Sequence, residues 1–158
     1  MNVSGIDFES ITDGDGVRVV IFVSGCLHKC GGCHNPLAHN FNYGKPFDAE
    51  MQEGVIRYCE QTPYISGTTL SGGDPMYSAD ELIPFVEEFR RRCPDKDVWC
   101  YTGFLYEELQ YSPSMKRLQL LCDVIVDGPY VQNKRTYITP YVGSSNQRVI
   151  HVKERMAE

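Results

Sequence analysis

Val17-Arg18-Val19-Val20-Ile21-Phe22-Val23-Ser24-Gly25-Cys26 is the stretch from which the fold of this chain can be read. Its first seven residues predict a strand apolar on both faces, as in a parallel sheet covered on each side. Asp13-Gly14-Asp15-Gly16 stands before it as a turn-forming cluster. After it the chain enters Ser24-Gly25-Cys26-Leu27-His28-Lys29-Cys30-Gly31-Gly32-Cys33-His34-Asn35, where three of the seven cysteines fall within eight residues.

Working outward, an irregular passage from about Asn35 to Phe47 leads to a helix with Asp48 as N-cap. Met51, Val55, Ile56 and Cys59 give that helix one apolar face. Thr68-Thr69-Leu70-Ser71 predicts a short strand that ends in Gly72-Gly73-Asp74-Pro75. Ser78, three residues before Glu81, has the capping-box spacing, and Leu82, Phe85, Val86 and Phe89 recur behind it at helical intervals. Pro84 inside that pattern predicts a kink or a restart. Asp97 to Thr102 reads as a third strand stopped by Gly103, with Trp99 in the core. Weaker helical signals run from Phe104 to Gln110, and Ser112-Pro113 opens a turn carrying Met115, Leu118 and Leu121. Val124-Ile125-Val126 is a fourth strand closed by Asp127-Gly128-Pro129. A loop then leads to a last strand at Gln147 to Val152.

Strands alternating with helices predict an α/β fold with a mainly parallel sheet. The chain has 158 residues, which fits a single domain over 1–158. A closed eight-fold barrel needs at least ~200 residues. The expectation is therefore a short, open, incomplete TIM-like barrel, with a doubly wound sheet as the alternative. In either, the cysteine loop, Gly72-Gly73-Asp74, Thr102-Gly103 and Asp127-Gly128 all follow C-terminal strand ends, which share one edge of the sheet. Sites in parallel α/β folds are built along that edge.

Hydrophobic residues make up 42% and charged residues 23% of the chain, as in an ordinary soluble globular protein. A net charge of −6 argues against nucleic acid or an anionic membrane as the main partner. No basic segment followed by an apolar one opens the chain, and the run Val19 to Val23 is far short of a membrane span. A cytoplasmic protein is expected. Seven cysteines without an export signal point to metal binding or catalysis rather than to a disulfide framework. Cys59, Cys93, Cys100 and Cys122 are scattered singly and read as small buried apolar residues.

The spacing C-x3-C-x2-C brings Cys26, Cys30 and Cys33 around a common centre. Thiolates favour iron–sulfur clusters and zinc alike. A cubane held by three cysteines keeps one iron without a protein ligand. A zinc ion would instead take His28, His34 or His39 as a fourth ligand. Gly31 and Gly32 permit tight turns and leave amides for hydrogen bonds to sulfide. Gly72 and Gly73 let a ligand lie against the backbone, and Asp74 offers an acceptor for an ammonium group, although a plain turn before a helix has the same composition. Thr102-Gly103 and Asp127-Gly128 are ordinary strand-end turns that could also line a site. Gly143-Ser144-Ser145-Asn146-Gln147-Arg148 reads as a polar loop.

With these residues in view, the chain resembles the radical S-adenosylmethionine superfamily, whose signature is C-x3-C-x2-C. More narrowly it is similar to the glycyl-radical-enzyme activases that serve the anaerobic ribonucleoside-triphosphate reductase. The resemblance spans nearly the whole chain. It rests on Asp13 to Arg18, Cys26 to Asn35, Gly44-Lys45-Pro46-Phe47, Leu70 to Pro75, Tyr101-Thr102-Gly103, Val126-Asp127-Gly128 and Gly143 to Gln147. The chain departs from the family pattern at Asp15, where proline is usual, and at His39, where tryptophan is common.

The resemblance implies an oxidoreductase in which Cys26, Cys30 and Cys33 hold three irons of a [4Fe–4S] cluster and S-adenosyl-L-methionine chelates the fourth. It implies that Gly32, Cys33 and His34 contact the cofactor and that Gly72, Gly73 and Asp74 receive its methionyl ammonium. Reductive cleavage would give methionine and a 5′-deoxyadenosyl radical, which removes a hydrogen from a glycine of the reductase. The implied partners are that glycyl-radical subunit and a low-potential electron donor. Two other readings remain open: a radical S-adenosylmethionine enzyme acting on a small molecule, and a non-catalytic, zinc-stabilised binding module.

Overall fold

The computed structural model describes residues 1–28, 30–33 and 36–157. Its centre is a seven-stranded sheet: β1 (Asn2–Ser10), β2 (Val17–Val23), β3 (Lys45–Pro46), β4 (Ile65–Gly72), β5 (Asp97–Tyr101), β6 (Val124–Asp127) and β7 (Arg148–His151). In space they run β3-β1-β2-β4-β5-β6-β7. The four central strands are parallel, with Val19 opposite Thr68, Thr69 opposite Trp99 and Trp99 opposite Val124. The sheet is open, and its flanks are antiparallel: β1 pairs with both β2 and β3, and β7 with β6. β1 was not expected from the sequence. The central strands follow one another in chain order without reversal, which sets aside the doubly wound alternative, because that fold reverses direction at a switch point.

The helices are α1 (Ala49–Gln61), α2 (Ala79–Arg92), α3 (Pro113–Leu121) and the short α4 (Val152–Met156). Asp48 caps α1 as expected, its carboxylate accepting from the Met51 amide at 2.9 Å. Ser112 caps α3 with Pro113 in the first turn. α2 differs from its expectation twice. Ser78 makes no side-chain cap bond, since a 3₁₀ turn at Pro75–Ser78 feeds straight into the helix, and Glu81 pairs with the amino terminus of Met1 instead. α2 also runs unbroken through Pro84, because the hydrogen bond it forfeits falls on an exposed stretch. The helix expected from Phe104 is a 3₁₀ segment at Tyr106–Tyr111.

Alternation along the strands sorts the core into two layers. Val19, Ile21, Val23, Leu70, Val98, Cys100 and Ile125 pack against Val55, Ile56, Leu82, Phe85, Phe89 and Leu118 of the helices. Each such side chain contributes about 1.5–3 kcal/mol on full burial. Trp99, Val124 and Val126 face the other way, beneath Val142 and Tyr141 of the segment after β6. Arg18 also points to this second face. It is fully buried, with Nε donating to Thr69 Oγ1 at 2.8 Å, its guanidinium paired to Asp97 at 2.6 Å, and its plane over Trp99. Among the described residues, no helix is long and apolar enough to cross a membrane.

Candidate functional site

The C-terminal ends of β2, β4, β5 and β6 open into one cavity of about 330 Å³, within the range of small-molecule sites. Cys26, Cys30 and Cys33 line it, as do Gly72 and Gly73, Thr102 and Gly103, and Gly128. Four segments separated in the chain thus meet along one edge of the sheet. Gly143 and Gln147 reach it from the loop before β7. That loop folds onto the turn after β6: Asn146 Nδ2 donates to the Pro129 carbonyl and Gln147 Nε2 to the Gly128 carbonyl.

Backbone bonds position the cysteine loop. The Gly25 amide donates to the Ala38 carbonyl at 2.6 Å, and Gly25 in turn accepts from the Asp74 amide at 2.8 Å. The Cys33 amide closes a turn on the Cys30 carbonyl at 3.2 Å. Gly72 adopts φ +99°, open to glycine but strained for other residues, and a Cβ there would stand 2.5 Å from the Val23 backbone. This conformation lets the Gly73 amide bond the Val23 carbonyl at 2.7 Å and brings the turn against the cysteine loop.

Asp74 is the buried hub of the site. Its side chain is fully buried and stands behind the cavity wall. Oδ1 accepts from the Met76 amide at 3.0 Å. Oδ2 accepts from Thr102 Oγ1 and the Gly103 amide, both at 2.9 Å, and from His28 Nε2 at 2.6 Å. Asp127 plays a comparable part below β6, accepting from the Tyr106 amide and from Arg148. Gly32, at φ +73°, sits in the cysteine turn against the Gln132 side chain and outside the cavity lining. His34 lies outside the described residues.

The donor set suits a metal–sulfur centre. Three free thiols face one cavity. Among the described residues, no three His, Cys, Asp or Glu side chains converge on a single ion. A cubane binds each thiolate at a different iron and so asks for a shared cavity rather than a single point of convergence. Burial pushes the Cys26 thiol up to about 11, the His28 amide opposes that rise, and Asp74, Cys30 and Cys33 add to it. An iron centre would supply the positive charge that lets the thiolate form. Of the histidines weighed as zinc ligands, His28 is engaged by Asp74 and His39 lines the cavity.

Sequence reasoning missed several lining residues, Asp13 and Tyr101 among them. Asp13, in the turn before β2, reaches the cavity. So does Tyr101, whose hydroxyl is buried without a hydrogen-bond partner. Such a group costs about 1–3 kcal/mol, which a polar ligand in the cavity would offset. Strand alternation could have found Tyr101, since Cys100 beside it faces the helices.

Comparison with known proteins agrees with this geometry. The family described as a 4Fe-4S single cluster domain matches residues 12–150. The anaerobic ribonucleoside-triphosphate reductase-activating protein of Haemophilus influenzae is 38% identical over 144 residues, 89% of this chain and 91% of its own length. That of Escherichia coli K12 is 37% identical over 146 residues, covering 90% and 94%. That of Enterobacteria phage T4 is 37% identical over 151 residues, covering 94% and 93%. From its cysteine loop to its closing strand, the chain belongs to the 4Fe-4S single cluster domain family, among the anaerobic ribonucleoside-triphosphate reductase-activating proteins.

Proposed function

We propose that this chain, a single domain acting in the cytoplasm, activates an anaerobic ribonucleoside-triphosphate reductase by radical S-adenosylmethionine chemistry. What supports the reading is that all three motif cysteines share one strand-end cavity with Gly72 and Gly73, within a chain whose relatives carry the activating-protein name. Cys26, Cys30 and Cys33 would hold the [4Fe–4S] cluster. The open sheet, with central strands in sequential order, would be the arc of an incomplete TIM-like barrel that leaves an entry for a glycine-bearing loop of the reductase.

When bound, the cluster held by Cys26, Cys30 and Cys33 would supply the one-electron chemistry for reductive cleavage of S-adenosyl-L-methionine, by which a hydrogen atom would be removed from the partner's glycine. The chain's own residues bind and orient. Cys33 lines the cavity on the cluster side, and the family resemblance implies that Gly32, Cys33 and His34 would contact the cofactor there. Gly72 and Gly73 present backbone to its methionyl end, and Asp74, one residue behind, provides the negative charge that draws the ammonium there. Tyr101 offers its hydroxyl to the polar part of the bound molecule. A low-potential donor delivers the electron. The cofactor carries the hard chemistry, and the protein fixes its orientation and excludes competing reactions.

Anaerobic reconstitution tests this directly. Brown protein with near-stoichiometric iron and sulfide is expected, followed by a glycyl-radical resonance on mixing with the reductase, reductant and S-adenosyl-L-methionine. Colourless protein holding one zinc overturns the reading in favour of a binding module. Cofactor cleavage without a glycyl radical turns it toward a small-molecule substrate.

A further inference from the structure

His28 lies between two of the motif cysteines, lines the cavity they share, and seats its ring in a socket at the edge of that cavity. One wall is Gly103, where a Cβ would stand 2.6 Å from His28 Cδ2 and 2.9 Å from Nε2, so only glycine leaves room for the ring. Phe104 meets the imidazole edge-on with centroids 4.6 Å apart, and Tyr77 closes the third side at 5.3 Å. At the bottom of the socket Nε2 donates to Asp74 Oδ2 at 2.6 Å. Thr102 Oγ1 and the Gly103 amide fix that carboxylate from β5, and the Met76 amide fixes it from its own turn.

We propose that His28 is a positioning residue: its imidazole, seated on buried Asp74, anchors the loop that carries Cys26 and Cys30 to the end of β5, so that the strand-end turns set the geometry and potential of the cluster. The inference rests on reading the three cysteines as cluster ligands. Its physical basis is that ligand segments are oriented by partners one shell further out, whose loss costs about 10- to 100-fold in metal affinity. Cluster potential responds to the hydrogen bonds and the solvent exposure around its sulfurs, which the seating of this loop governs. Asp74 joins the cysteine loop to β5 through this contact, and the cysteine loop takes its orientation from the sheet.

The test uses the full chain, reconstituted anaerobically as wild type, His28→Ala and His28→Gln. Three quantities are measured: iron loss to excess EDTA, cluster midpoint potential by spectroelectrochemical titration, and thermal unfolding of the cluster-free chain. His28→Ala is expected to lose iron about tenfold faster and to shift the midpoint potential away from the wild-type value. His28→Gln, whose amide can donate to Asp74, is expected to return both toward wild type. Wild-type iron loss and potential in His28→Ala overturn the inference while leaving the cluster reading intact. If His28→Ala takes up no iron, His28→Gln decides, and a glutamine chain that holds the cluster no better than the alanine chain also overturns it. A wild-type chain that takes zinc and no sulfide removes the cluster reading and this inference with it.

Discussion

Replacing Gly73 with alanine probes the point where three loops meet. A Cβ on Gly73 would stand 2.6 Å from the Gly25 carbonyl oxygen and 2.7 Å from that of Ala38. Both atoms are backbone, and both already accept hydrogen bonds, from the Asp74 and Gly25 amides respectively. To reach ordinary contact near 3.4 Å each must retreat by about 0.7 Å, carrying the start of the cysteine loop with it. Narrowing the unfolded ensemble favours alanine by about 0.4–1 kcal/mol. Overpacking costs about 1–3 kcal/mol, and weakening one hydrogen bond about 1 kcal/mol more. The net is a loss of about 1–3 kcal/mol, which for a chain of this size lowers Tm by roughly 3–10 °C. Scanning calorimetry of the cluster-free protein reads this without interference from iron. In the loaded protein, S-adenosyl-L-methionine cleavage is expected to fall on the order of 10- to 100-fold, because displacements approaching 1 Å have effects of that size. A cluster-free Tm equal to or above wild type would refute the steric argument, whatever the activity.

Gly31→Ala is the matched control: among the described residues nothing lies within 4 Å of its Cβ, and Tm is expected to stay within about 1 °C, consistent with the small effects of surface substitutions. Gly103→Ala is expected to unseat His28 and to speed iron loss to EDTA as His28→Ala does, since its Cβ would overlap the ring. Arg18→Met removes the donor to buried Thr69 and the partner of half-exposed Asp97 and is expected to cost about 1–3 kcal/mol, read as a lowered urea midpoint at unchanged slope. Glu107 provides a pH test. Its hydrogen bonds with Arg148 and its own amide, with the charges of Arg148 and Arg155, hold its carboxyl down to about 2. A depressed carboxylate stabilises the fold above its unfolded value near 4.5 and loses that contribution as pH falls toward 2. The urea midpoint of wild type is expected to converge on that of Glu107→Gln across this window.

The central strands and their shared edge were legible because each carries a β-branched or apolar run that stops at glycine, and βαβ order puts those stops on one side. Asp48 and Ser112 announced their helices for equally local reasons. β1 was not legible. It is mostly half-exposed, and irregular register near Gly5 and between Asp7 and Ser10 breaks the two-residue alternation that marks a strand. Arg18 hid in an apolar run, because no local pattern reveals that a charge will find Thr69, Asp97 and Trp99 across the sheet. That Cys26, Cys30 and Cys33 would face a common centre was readable from their spacing, and they line one cavity. The surroundings of Asp74 were not, since its four donors come from the cysteine loop, its own turn and the end of β5, which only the folded sheet brings together.

The two-layered core also divides the seven thiols by fate. Cys59, Cys93, Cys100 and Cys122 are buried, and burial drives the Cys59 thiol up to about 12 and raises that of Cys93 as well. Cys26, Cys30 and Cys33 open onto the cavity. On the proposed cluster assignment, incoming iron and sulfide would meet only these three thiols, and the other four would not compete for the metal. Oxygen reaching the empty site would be confined in the same way, to three neighbours on one open face, with the buried four out of its reach.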